Sequence, residues 1–174
     1  MFLFENLDET TRSSMLQAIE EAELTGNIYY STRFNQAGHE QWISLLKQAA
    51  RQFNEHWLAY QIESNRLMKN LESARTPSGG YTIKHVPHSA AATLAEGQFN
   101  RFYILGLCNR ARTEGISNLV VYRARESASP RLESQALIGK SLPIDEIESQ
   151  LKETRASFTS PLVQANSGLS VKLP

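Results

Sequence analysis

Ser89–Gly115 reads SAAATLAEGQFNRFYILGLCNRARTEG and is the longest strongly apolar run in the chain. Pro87 closes the segment before it. His88 or Ser89 can act as N-cap, and Ala90, Ala91 and Ala92 follow as strong helix formers. From Phe99 to Cys108 the apolar side chains (Phe99, Phe102, Tyr103, Ile104, Leu105, Leu107, Cys108) go nearly all the way round a helix. A helix that is apolar on every side is one that is buried on every side. The stretch is therefore read as a central helix over about residues 89–114, with Arg101 as the charged exception that must snorkel or find partners. Gly97 and Gly106 each weaken a helix by roughly 1 kcal/mol against Ala, which close approach by another backbone would offset. Arg110 and Arg112 place cations at the negative end, and Gly115 suits the position after it. Thr93-Leu-Ala-Glu96 also has the form of a capping box, so a start nearer Thr93 is an alternative.

Working outward, Tyr81–Val86 (YTIKHV) and Asn118–Arg125 (NLVVYRAR) are strand-like on either side of this helix. A strand–helix–strand order fits a right-handed βαβ crossover and equally an antiparallel α+β sheet. Thr76-Pro-Ser-Gly-Gly80 is the strongest loop signal. Its paired glycines lack the Gly-Lys-Ser/Thr and the following helix that a phosphate-binding loop needs.

Nearer the start, Asp8 caps a helix with Met15, Leu16, Ile19 and Ala22 inward; Glu20, Glu21 and Glu23 lie on its solvated face, and Thr25-Gly26 ends it. Asn27–Phe34 (NIYYSTRF) is rich in β-branched and aromatic residues and is expected as a strand. Trp42, Leu45, Leu46, Ala49, Phe53, Trp57 and Tyr60 then recur at helical spacing, predicting one long amphipathic helix over about 39–63. Another helical turn or two is expected over Arg66–Ser73.

Beyond the central helix, Ser127–Lys140 reads as irregular, broken by Pro130 and Gly139. Pro143 opens a short helix with Ile144, Ile147 and Leu151 inward. Periodicity fades past Arg155. Leu169, Val171 and Leu173 alternate with Ser170 and Lys172, a strand period on a terminal arm. The expected fold is one α+β domain over 1–155, mainly helical. Its small sheet is drawn from strands near 27–34, 81–86 and 118–125, and an extended C-terminal arm covers 156–174.

At 174 residues the chain suffices for one domain that buries roughly 70% of its unfolded surface. Eighteen basic residues balance eighteen acidic ones, so no global field favours nucleic acid or membrane. The single cysteine, Cys108, excludes an intramolecular disulfide framework and reads as a core residue. The apolar runs are too short and too interrupted by charge for a membrane span. Met1-Phe-Leu-Phe lacks the basic flank and length of a signal peptide. A cytoplasmic location, or a particle assembled there, is the expectation.

Candidate chemistry is sparse. His85 and His88, with Glu96 or His39, have the residue types of a metal set but no supporting motif. Glu96 can serve as a general base or, more simply, as a carboxylate paired with Arg101 or another arginine. No cofactor is implied. The arginines Arg110, Arg112, Arg123, Arg125 and Arg131 form a candidate patch for phosphate or a protein partner, against the simpler reading of internal pairing. The expected function is a non-enzymatic structural or interaction subunit of a larger protein assembly, homo- or hetero-oligomeric. Leu169, Val171 and Leu173 would add a strand to a neighbour, and deleting Ser167 to Pro174 is expected to leave a folded chain that fails to assemble. The alternative is a nucleic-acid-associated protein acting through the arginine patch; an enzyme site around His85, His88 and Glu96 is the third.

Overall fold

The computed structural model of the chain describes residues 2–126, 130–153 and 160–174. Within them the order is α1 (Glu9–Leu24), α2 (Gln36–Gln52), α3 (Glu55–Ser64), β1 (Leu71–Arg75), β2 (Tyr81–His85) and α4 (Ala90–Thr113). There follow β3 (Asn118–Arg123), α5 (Leu132–Leu137), β4 (Ser141–Pro143), α6 (Ile144–Leu151) and β5 (Leu169–Lys172). The fold is α+β with a helical majority. Ser127–Ser129 and the proposed domain boundary at 155/156 lie outside the described residues.

α4 is the axis of the core, as its composition requires: Phe99, Phe102, Tyr103, Ile104, Leu107 and Cys108 are all fully buried. It starts at Ala90 rather than near Thr93, and its end is followed by Gly115 at φ +73°. α1, α3 and α6 pack around it. The close backbone approach expected of a helical glycine occurs at Gly106: a Cβ there would lie 2.8 Å from the Met15 backbone nitrogen on α1. The segment before α1 packs against the middle of α4, with Phe4 tilted against Tyr103 at 4.6 Å between ring centres. α1 begins at the Asp8 cap, whose carboxylate accepts from Thr11 N–H at 2.9 Å.

The sheet differs from the expected one. β1 and β2 form a separate antiparallel hairpin, while a second antiparallel sheet has the order β4-β3-β5. The strands near 81–86 and 118–125 therefore belong to different sheets. Asn27–Phe34 is no strand. Its buried positions are Ile28, Ser31 and Phe34, a period of three where a half-buried strand has two. Its backbone is satisfied piecemeal: Tyr29 C=O accepts from Trp42 Nε1 at 2.9 Å, and Phe34 makes one isolated bridge to Met68.

The long helix over 39–63 is two helices. Phe53 leaves helical geometry, Asn54 is extended, and the Asn54 side chain accepts from Trp57 N–H at 3.0 Å to cap α3. Arg12 from α1 meets the break by donating to Ala50 C=O at 2.9 Å, taking up a carbonyl at the end of α2. Past the break the aromatic stripe leaves the core: Phe53 and Tyr60 are exposed, and Leu58 and Ile62 are buried instead. Nor does helix resume after Arg66. Arg66 sits at φ +51°, and Leu71–Arg75 goes into β1.

The C-terminal segment is no free arm. β5 pairs with β3, with Val121 opposite Val171, and Leu169, Ser170 and Val171 are fully buried on both faces. Its outer edge is closed by side chains. Asn100 Nδ2 donates to Leu169 C=O at 2.9 Å, and Leu173 N–H donates to Asn6 Oδ1 at 2.9 Å. Ser170 Oγ also donates to Asn100 Oδ1 at 2.7 Å, so the buried amide of α4 is matched on both sides. The strand period was a true signal; the partner it needed lay in the same molecule.

Candidate functional site

The β1–β2 hairpin stands apart from the core. Each residue of β2 is exposed, and both strands are joined by the Thr76–Gly80 loop that the Pro-Ser-Gly-Gly composition marks as a turn. Side chains alternate across its two faces. The even-numbered face is tied down: Glu72 accepts from Arg33 Nη2 at 3.1 Å and lies 3.4 Å from Lys84 Nζ. Arg33 and Lys84 hold the Glu72 carboxyl below its ordinary range. The odd-numbered face carries Leu71, Tyr81 and Ile83, which are 49%, 77% and 66% exposed. Large apolar side chains grouped on a protruding sheet face are the composition of an interaction surface.

The backbone of the hairpin is as informative as its side chains. Pairing partners sum to one register, Leu71 opposite His85 and Arg75 opposite Tyr81. Val86 N–H donates to Asn70 C=O at 3.0 Å and Thr76 N–H to Gly80 C=O at 2.8 Å. These bonds at the two ends make the even-numbered pairs the hydrogen-bonded ones. The N–H and C=O groups of Tyr81, Ile83 and His85 consequently point away from β1. Among the described residues β2 has no other strand beside it.

The arginines expected as one patch are distributed to separate partners. Arg110 binds Asp8 at 2.7 Å and Glu114 at 2.7 Å, tying the end of α4 to the cap of α1. Arg112 binds Asp145 at 2.9 Å and Glu148 at 2.7 Å, tying it to α6. Arg123, Arg125 and Arg131 turn toward the loop before β5: Arg123 donates to Ser167 C=O at 3.2 Å and Arg131 donates to Gln164 Oε1. Arg125 lies 3.3 Å from Glu96 and over the Phe2 ring. Arg125 is thus the arginine that Glu96 pairs with. Arg101 makes its own bonds to main-chain carbonyls.

His85 and His88 both line a groove of about 510 Å³ at the base of the hairpin, with Arg66 and Lys69. Glu96 is held by Arg125, and His39 stacks on Tyr30 at 5.5 Å, so neither joins the two histidines. No three His, Cys, Asp or Glu residues among those described come together as metal ligands. The Cys108 thiol is buried in α4 and pushed up to about 12 by burial, the behaviour of a core residue. No described helix is long and apolar enough to cross a membrane.

Sequence reasoning missed β1, and with it the hairpin. The signal was present: LESAR and YTIKH are runs of equal length flanking a Pro/Gly loop. Comparison with protein-family models, with curated proteins and with solved structures finds no match, so the functional reading rests on the geometry of this chain.

Proposed function

We propose that the chain is a non-enzymatic interaction subunit of a larger protein assembly, and that its contact element is the β1–β2 hairpin. The observation that carries this reading is the exposed Leu71/Tyr81/Ile83 face on a strand pair whose outer backbone groups are free to pair. Leu169 and Val171, the residues expected to reach a neighbour, are spent on this chain's own sheet. A hairpin offers the same mode of recognition, strand addition, from a different sheet of the fold.

The test is photo-crosslinking in the native host, with a benzophenone amino acid in place of Tyr81. A discrete adduct that maps to one peptide, and that disappears when Ile83→Ser is added, is the expected result. Absence of any such adduct from a folded, expressed chain overturns the reading.

A further inference from the structure

Resting on that reading and naming its partner, we infer that β2 pairs antiparallel with β2 of a second copy of the chain, about a two-fold axis at Ile83. The argument begins with the backbone. Because the even-numbered residues of β2 bond to β1, the odd-numbered ones offer N–H and C=O outward. An antiparallel pair centred on Ile83 sets Ile83 opposite itself and Tyr81 opposite His85 of the copy. Those are the residues with outward groups, so each pair exchanges both of its hydrogen bonds. A two-fold contact uses the same patch twice and closes on itself.

The side chains select this register over its neighbours. Centred on Ile83, Lys84 falls opposite Thr82 of the copy, and its charge stays with Glu72 on the same face. Moving the axis one residue on, to Lys84, sets two ammonium groups side by side, which is destabilising. Moving it one residue back, to Thr82, drops His85 from the ladder and shortens the overlap. On the odd-numbered face the Ile83 register joins the two exposed apolar patches across the axis. Cross-strand contacts between apolar side chains then add to the main-chain bonds. A second copy fits because this register pairs the outward N–H and C=O groups of Tyr81, Ile83 and His85 and sets no like charges directly opposite.

The experiment uses the full chain with one cysteine introduced at a time. In an antiparallel hydrogen-bonded pair the facing Cα atoms are about 5.5 Å apart, within the range a disulfide spans. Cys108 is buried and stays out of the reaction. Under mild oxidation with oxidised glutathione, Ile83→Cys is expected to give a dimer of twice 19.6 kDa. It should form about tenfold or more faster than from Thr82→Cys or Ser73→Cys, because pairing raises the local thiol concentration. A second variant guards against a cysteine that perturbs the edge. Ile83→Pro removes the outward N–H and the apolar side chain at the axis but no bond to β1, which an edge strand tolerates, so it should stay folded and become monomeric while the wild-type mass doubles with concentration.

Ile83→Cys that links no faster than Thr82→Cys overturns the inference, as does a wild-type chain that stays at 19.6 kDa at every concentration. If the Tyr81 photoadduct then proves to contain a different protein, the interaction reading survives and self-pairing alone falls. If there is no photoadduct either, both fall.

Discussion

Arg101 on α4 donates its Nε–H to the main-chain carbonyl of Leu151, the last residue of α6, at 2.7 Å. The same guanidinium reaches Lys152 C=O at 3.1 Å and Asn27 C=O at 3.2 Å, and the side chain is fully buried. It satisfies carbonyls at the negative end of α6 and anchors the irregular segment after α1. Burial lowers its pKa to about 10, so the charge is retained at neutral pH. Arg101→Met should destabilise the fold by about 2–3 kcal/mol, since it leaves buried acceptors without donors. Urea unfolding of the two proteins measures this; a neutral substitution would mean that the carbonyls find other donors.

The two glycines of α4 make opposite predictions. At Gly106 a Cβ would meet the Met15 backbone at 2.8–3.0 Å, where nothing flexible can give way. Gly106→Ala should cost about 1–3 kcal/mol through overpacking, more than the helix-propensity gain returns. At Gly97 the nearest atom is 3.7 Å away, an ordinary contact. Gly97→Ala should therefore raise stability by up to about 1 kcal/mol. Thermal melting of both variants reads the difference in sign.

Asp8 gives the acid limb. Its carboxyl is held below its ordinary value of 3.8, first by the Thr11 N–H bond and also by Arg110. A depressed carboxyl stabilises the fold above its unfolded value and loses that contribution as pH falls through the folded one. Asp8→Ala should lower stability at neutral pH by about 1 kcal/mol, as loss of a helix cap does. The gap from wild type should then narrow below pH 3.8. Asp8→Asn, which can keep the cap, should lose less at neutral pH. Urea titrations across the acid range check all three proteins.

Deleting Leu169–Pro174 should compromise folding. Leu169 and Val171 are both fully buried, and losing two such side chains costs about 3–6 kcal/mol. The deletion also strips Asn100 of Leu169 C=O and Ser170. Circular dichroism and urea unfolding of the shortened chain test this; a cooperatively folded product of unchanged stability would contradict it.

Elements set by local composition were legible in the sequence, and those set by distant partners were not. α4 announced itself because a helix apolar all round has few other places to go, and Asp8 announced α1 through its cap. Asn27–Phe34 has strand composition but buries one residue in three, because Trp42 and Met68 take its backbone groups one at a time. The Phe53-Asn54 break was hidden by an apolar spacing that runs through it, although Asn54 is a good N-cap. The role of Leu169 and Val171 depended on β3 and Asn100, which no local window contains. The arginines were visible as a cluster of charges. Their partners, Asp8, Glu148 and Glu96, are scattered along the chain and meet them only in the fold.

Amide exchange at Ile83, resolved residue by residue by NMR, tests the hairpin contact most directly. In dilute protein Ile83 N–H should exchange rapidly while Lys84 N–H, paired inside the hairpin with Glu72, is slowed. As concentration rises, Ile83 N–H should become protected together with Tyr81 and His85, and Lys84 should change little. Rapid exchange at Ile83 at every concentration, in a folded chain, would contradict β2-to-β2 pairing.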